Sequence, residues 1–92
     1  MNDYKAIIIC VVFNEKYEFN DILLIGQTDN KDKAKALLFD DIRRVMGDYG
    51  PSKCELEESR TEHDEPIMIV HTHDAEGFTM HWHYYCKIES EE

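Results

Sequence analysis

The segment from Pro66 to Ile88 constrains the fold more than any other, because it predicts two β-strands and the turn between them. On either side of that turn, the even-numbered positions are mostly apolar. Since side chains alternate between the two faces of a strand, the even positions form the predicted core side. The even sets of both strands share a face only if the loop has an odd number of residues. Residues 75–77 provide a three-residue loop that ends in Gly77, which suits the left-handed conformation.

This register brings four histidines onto the odd-numbered face, which we call the histidine face: His71, His73, His81 and His83. His71 is expected directly opposite His81, with Cβ atoms about 5 Å apart. Two facing His-x-His pairs offer up to four imidazole ligands, which suit zinc and, less selectively, another divalent transition metal such as copper or nickel. Two other interpretations are a solvated strand face and a face that gains charge as the pH drops through about 6.5.

The rest of the chain predicts three further strands and one helix. Residues 4–13 are apolar on both faces, which is typical of a central strand. Residues 17–27 predict a second strand, with residues 22–25 as its buried part and a bulge at Asn20-Asp21. Helical spacing of apolar residues predicts a helix over residues 30–46, capped by Thr28 or Asp29 and ended by Gly47. Residues 53–61 are the least apolar and predict an edge strand.

The resulting order, ββαβββ, predicts an α+β fold of two layers: a mostly antiparallel sheet of about five strands with one helix packed on one face. A chain of 92 residues makes a single domain, residues 1–92. One helix covers only one face of the sheet, yet the other face would hold Ile67, Ile69 and Tyr85 beside the histidines. We expect a partner protein or a second copy of the chain, rather than an inward curl of the sheet, to cover this helix-free face.

The net charge of −10 is unevenly distributed along the chain. Residues 1–46 carry eight acids and seven bases, whereas residues 47–92 carry twelve acids and three bases. Such a field disfavours direct contact with nucleic acid or anionic lipid, because phosphate binding needs Lys and Arg. It favours a protein partner with a basic surface. The acids most suited to such a contact, which we call the acidic edge, are Glu55, Glu57, Glu58, Glu62, Asp64 and Glu65.

Neither membrane insertion nor catalysis has a clear signal in the sequence. The longest apolar run, residues 6–13, is too short to span a bilayer, and residues 1–5 do not resemble a secretory signal. Cys10, Cys54 and Cys86 lack a Cys-x-x-Cys spacing and are expected to be reduced thiols of a cytoplasmic protein. The sequence contains no glycine-rich phosphate loop and no local nucleophile motif, so we predict no catalytic residue.

Two functions follow as hypotheses. The first is a small acidic, non-enzymatic binding protein, an inhibitor or adaptor that uses the acidic edge with Ile67, Ile69 and Tyr85 to engage a basic partner. In size and charge alone, the chain resembles small acidic phage proteins that block nucleic-acid-handling enzymes. The alternative is a metal-binding protein or metal-dependent enzyme that uses the histidine face. A homodimer joined through the helix-free face is a third, structural possibility.

Overall fold

The structure, a computed structural model, describes the backbone of residues 5–90 and the side chains of residues 5–88. Tyr4, the predicted start of the first strand, lies outside the described residues. The elements in chain order are β1 (Lys5–Phe13), β2 (Phe19–Thr28), α1 (Lys31–Tyr49), a short 3-10 helix (Pro51–Lys53), β3 (Cys54–Arg60), β4 (Pro66–His73) and β5 (Thr79–Ser90). The predicted order ββαβββ and the α+β class are confirmed.

All five strands form one antiparallel sheet in the order β2-β1-β5-β4-β3. β1 pairs on both sides, with β2 and with β5. The predicted edge position of β3 is confirmed, and β2 forms the opposite edge. No helix within residues 5–90 is long and apolar enough to cross a membrane.

The core lies between α1 and the even-numbered face of β1, β4 and β5. The helix contributes Ala34, Leu38, Ile42 and Val45, which are spaced three or four residues apart and buried. The strands contribute buried residues of matching phase: Ala6, Ile8, Cys10, Val12, Val70 and Tyr84. Burying one aliphatic side chain of this size stabilises the fold by roughly 1.5–3 kcal/mol. This layer therefore fixes which face of the sheet the helix covers.

Polar groups at this core form hydrogen bonds both within each layer and between the two layers. The Tyr84 hydroxyl donates to Asp41 Oδ2 at 2.6 Å, and Arg44 Nε donates to Asp41 Oδ1 at 3.1 Å. Burial and the neighbouring Asp41 carboxylate raise the pKa of Tyr84 far above its ordinary value. Trp82 Nε1 donates to Thr72 Oγ1 at 3.0 Å, and its ring meets Tyr49 of α1 edge to face. These contacts join the hairpin to the helix.

The ends of α1 differ from the prediction. Asn30, rather than Thr28 or Asp29, is the N-cap, and its side-chain oxygen accepts from the backbone N–H groups of Asp32 and Lys33. The helix continues through Gly47 to Tyr49 and ends at Gly50, which has φ of 93°. A glycine inside a helix costs only about 1 kcal/mol, which the packed face outweighs. The predicted end at Gly47 is wrong for that reason.

The β4–β5 hairpin has the predicted register. His71 pairs with His81, and Ile69 pairs with His83. The turn closes through two backbone hydrogen bonds, from Asp74 N–H to the carbonyl of Phe78 and from Gly77 N–H to the carbonyl of Asp74. Gly77 takes the left-handed conformation with φ of 88°.

The same turn occurs at the other two hairpins of the described chain. Residues 14–18 and 61–65 close through the same pair of backbone hydrogen bonds as residues 74–78. The left-handed position is held by Tyr17 in the first turn and by Asp64 in the second, with φ of 60° and 62°. A left-handed conformation costs a non-glycine residue about 1–2 kcal/mol. The bulky Tyr17 is therefore a strained choice at this position.

Two bulges invert the phase of β2. The pairing of β2 with β1 skips Asn20 and Ile25, so the residues between them are shifted by one position. Ile22 and Leu24 consequently share a face with Val11 and Ile9, away from the helix. The predicted bulge near Asn20 is confirmed. The predicted burial of the whole segment 22–25 is wrong, because Ile22 and Leu24 are exposed on an edge strand.

Substitution of Gly77 in the β4–β5 turn and of Gly47 in the helix tests the backbone conformations assigned to these two glycines. Gly77→Ala is expected to destabilise the protein by about 1 kcal/mol or more, because alanine disfavours the left-handed conformation. Gly47→Ala is expected to stabilise it by roughly 0.5–1 kcal/mol, because residue 47 is helical. Neither added Cβ would meet another atom within 4 Å. Urea denaturation measures both changes, and equal effects would contradict the assigned turn.

Candidate functional site

The histidine face lies on the helix-free side of the sheet, as the hairpin register requires. His71 and His81 stand opposite each other, with their Nδ1 atoms 2.7 Å apart. His71 Nε2 lies 2.9 Å from Glu57 Oε1 on the neighbouring strand β3. His73 Nδ1 lies 2.9 Å from Thr79 Oγ1. Three strands thus contribute to one hydrogen-bonded row, Glu57–His71–His81.

The donors in this row follow from counting protons. An ionised Glu57 can only accept, so His71 must carry a proton on Nε2. In a neutral pair, His71 then has a bare Nδ1, and His81 must donate to it from its own Nδ1. The neutral pair of His71 and His81 thus holds two ring protons, and a third proton gives the pair one positive charge beside the Glu57 carboxylate. The row therefore couples two imidazoles and one carboxylate.

Burial opposes charge on the inner members of the histidine face. His81 is 7% exposed, and this burial, followed by the nearby His71, lowers its pKa. His83 is half-buried, and burial, followed by the nearby His81, lowers its pKa as well. Among the described residues, His83 Nε2 is a buried side-chain atom without a hydrogen-bond partner. Both rings therefore favour the neutral state.

The β1–β2 turn covers these two rings from within the chain. Tyr17 stacks on His81 with ring centroids 3.9 Å apart and an interplanar angle of 8°. Phe13 meets the ring of His83 edge to face at 4.8 Å. The strained left-handed conformation of Tyr17 is what carries its ring over His81. Of the four histidines on this face, only His73 is exposed.

The arrangement of the histidines bears on the predicted metal site. Within the described residues, no three His, Cys, Asp or Glu side chains form a group that could hold a metal ion. The facing nitrogens of His71 and His81 hydrogen-bond to each other instead. Metal binding by His71, His73, His81 and His83 stays a prediction, which elemental analysis of untagged protein tests directly.

The acidic edge occupies strand β3 and the turn that follows it. All six of its side chains are exposed: Glu55, Glu57, Glu58, Glu62, Asp64 and Glu65. Arg60 lies among them, donates to the backbone carbonyl of Asp64 at 2.8 Å and pairs with its carboxylate at 3.4 Å. Glu57 is the member tied to the histidine row. The predicted partner-binding acids are thus on one free edge of the sheet.

The apolar residues predicted to accompany this edge are less accessible. Ile67 and Ile69 are buried, and Tyr85 is half-buried. Besides Tyr17 of the turn, the apolar side chains that protrude on the helix-free face belong to β2: Phe19, Ile22 and Leu24 are 65%, 55% and 69% exposed. The sequence offers only a partial signal for them, the predicted bulge at Asn20-Asp21, because the reversed phase of β2 depends on its pairing with β1.

A groove of about 610 Å³ opens between α1 and the strands β4 and β5. Its lining is mainly apolar and includes Leu38, Phe39, Met68, Cys86 and Ile88. None of the four histidines lines the groove, but Glu65 of the acidic edge lies at its border. No motif in the sequence indicated it.

Comparisons of the chain with protein-family models, with curated proteins and with solved structures find no match. Geometry and charge are therefore the grounds for a functional conclusion.

Removing the stacked ring tests the cover over the histidines. Tyr17→Gly is expected to expose His81 and raise its pKa toward the ordinary value of about 6.5, because desolvation is the main cause of the lowered value. Tyr17→Phe keeps the ring and should leave the titration unchanged. NMR titration of the histidine ring protons measures both, and an equal response would refute the stacking arrangement.

Stability should also depend on the pH through the buried imidazoles. The pKa values of His81 and His83 are lowered on folding, so the unfolded chain takes up protons first as the pH falls below about 6.5. The free energy of unfolding should therefore decrease from pH 7 toward pH 5. His83→Leu should flatten this dependence, whereas His63→Leu, in an exposed turn, should not. Urea denaturation at each pH provides the measurement; identical profiles for the two variants would exclude His83 as a source.

Proposed function

We propose that this chain is a non-enzymatic binding protein, an inhibitor or adaptor, that uses its acidic edge to engage a basic surface on a protein partner. Such a surface is typical of enzymes that handle nucleic acid. The observation that carries the proposal is the exposure of all six acids on one sheet edge and its turn, with Arg60 as the cation among them.

The distribution of charge supports this assignment. β1, β2 and most of α1 lie in the nearly neutral part of the chain, whereas β3 and the turn after it, residues 54–65, carry six acids and one arginine. The negative field is therefore concentrated toward the β3 side of the sheet. A basic partner would be attracted to that side first, which raises the association rate and orients the encounter.

The position of the two groups with the most strongly shifted pKa values favours binding over catalysis. Burial raises the pKa of Cys10 to about 12, and the pKa of Tyr84 is raised further still. Both residues belong to the core under α1, where they pack and hydrogen-bond. The carboxylates of the acidic edge, in contrast, are exposed and strung along a strand. Exposed charges in a row suit recognition of an extended basic surface.

Cysteine chemistry supports a reducing compartment, and we place the proposed function in the cytoplasm. Cys10, Cys54 and Cys86 are free thiols. Burial raises the pKa of both Cys10 and Cys54, which disfavours the reactive thiolate.

Charge reversal tests the acidic edge. The edge variant carries Glu55→Lys, Glu58→Lys and Glu62→Lys and leaves Glu57 with His71. The control variant carries Glu18→Lys, Asp48→Lys and Glu76→Lys, three other exposed sites, and so changes the net charge equally. Partners are first captured by cross-linking to wild-type protein. Their association rate constants are then measured by surface plasmon resonance.

The edge variant is expected to associate at least about tenfold more slowly than wild type, and the control about twofold or less. The wild-type rate should also fall steeply between 50 and 500 mM salt, because the Debye length shrinks to a few ångströms. Equal slowing of both variants would show that net charge alone sets the association rate, which would contradict a specific role of the acidic edge. An unchanged rate in the edge variant would refute the acidic edge as the binding surface.

A further inference from the structure

The two edges of the sheet are built differently. β3 carries Glu55, Glu57 and Glu58, and charges at an edge oppose pairing with another strand. β2 has Asp21 as its single charged residue and is uncharged over the seven residues 22–28. Within residues 5–90, β2 pairs only with β1, so the backbone groups of its outer edge are open. One edge is thus protected against strand addition and the other is not.

The open edge also carries three exposed apolar side chains on the helix-free face. Phe19, Ile22 and Leu24 all point to that face, paired with Phe13, Val11 and Ile9 of β1. An apolar row on an unpaired strand gives both main-chain hydrogen bonds and side-chain burial to an added strand. The chemistry of this edge is that of a strand-pairing surface.

The bulges restrict where a strand can add. The skipped residues Asn20 and Ile25 break the regular ladder, which leaves residues 21–24 as an uninterrupted stretch. Consider two copies related by a twofold axis perpendicular to the sheet. Their helix-free faces lie on the same side only if the sequence numbers of the two residues in each pair add up to an even number. Centring the axis on Leu23 places Ile22 of each copy opposite Leu24 of the other. Both bulges then lie outside this three-residue match.

This register is self-complementary in size and charge. Four exposed aliphatic side chains meet on the helix-free face, and Leu23 meets its own copy on the helix side. Asp21 falls opposite Ile25 of the second copy, so no two like charges face each other across the pair. A short uncharged strand that matches itself in antiparallel orientation fits a second copy of the chain better than a partner of strong charge.

We infer that β2 pairs with β2 of a second copy and forms a twofold-symmetric dimer with a continuous ten-stranded antiparallel sheet. The interface lies edge to edge, in contrast to a dimer packed through the helix-free faces. It uses the nearly neutral side of each chain and leaves the acidic edges at the two far ends of the joined sheet. The inference stands on the β2 edge alone and does not depend on what the acidic edge binds.

Sedimentation equilibrium between 1 and 200 µM tests the dimer with a matched pair of variants. Leu24→Lys puts a charge on the open edge, and Leu56→Lys makes the same substitution at an exposed leucine on the opposite edge. Wild type and Leu56→Lys are expected to dimerise with similar dissociation constants. Leu24→Lys should raise the dissociation constant at least about tenfold, since two pairs in each dimer lose a favourable contact. Circular dichroism verifies that each variant is folded.

Cysteine pairs test the register independently. In a background with Cys54→Ser and Cys86→Ser, the double variant Ile22→Cys/Leu24→Cys is expected to form intermolecular disulfides in oxidising buffer, since residues opposite each other are within disulfide reach. Leu24→Cys alone should form little, because its counterpart is residue 22. Peptide mapping identifies the bonds.

Several outcomes would overturn the inference. A wild-type monomer at 200 µM excludes the dimer. A dimer that tolerates Leu24→Lys lies elsewhere, on the helix-free face or on the groove. Efficient cross-linking of Leu24→Cys alone excludes the register centred on Leu23. Salt separates this interface from the acidic edge: because each chain carries a charge of −10, dimerisation should strengthen with salt, whereas binding through the acidic edge should weaken.

Discussion

The structure depends above all on one constraint, which is that the hairpin loops contain an odd number of residues. Each of the three hairpins within residues 5–90 closes with the same turn, in which three loop residues separate the flanking pair. An odd loop keeps residues of one parity on one face across the turn. Across the β4–β5 turn, that rule brings the even residues of both strands together under α1 and sends the histidines to the other side, and the β1–β5 register adds the even residues of β1 to the same face. A loop one residue longer or shorter would exchange core and surface for a whole strand.

The parts of the fold that the sequence predicts are those where this alternation is unbroken. The β4–β5 hairpin, its loop and the His71–His81 pair follow from the pattern alone, because a regular strand has no freedom of phase. The strand β2 and its bulge near Asn20 are predicted, but the facing of residues 21–24 is not, because two bulges reverse the phase of these residues and then restore it. A bulge depends on how two strands fit together, and this information is not local to either strand.

The histidine site was predictable in its pairing but not in its surroundings. The alternation of side chains along the two strands placed the histidine rings on one face. The cover by Tyr17, in contrast, depends on a backbone conformation that tyrosine rarely adopts. The bond from His71 to Glu57 likewise needs the register between β3 and β4, which no turn signal in the sequence fixes precisely enough. The sequence therefore suggested an outward face, whereas the structure has a row of rings that is largely covered from within. Similarly, the end of α1 was decided by packing beyond Gly47 rather than by the first glycine encountered.

The position of Trp82 gives the molecule an intrinsic optical probe. It is the single tryptophan of the chain, it bonds to Thr72 across the hairpin, and it touches Tyr49 in the last turn of α1. Its indole lies on the helix side, distant in the sheet order from both edge strands. Fluorescence emission from this ring therefore changes when the helix separates from the sheet. It stays unchanged when either edge strand pairs with an added strand. One fluorophore can thus distinguish loss of the two-layer architecture from events at its margins.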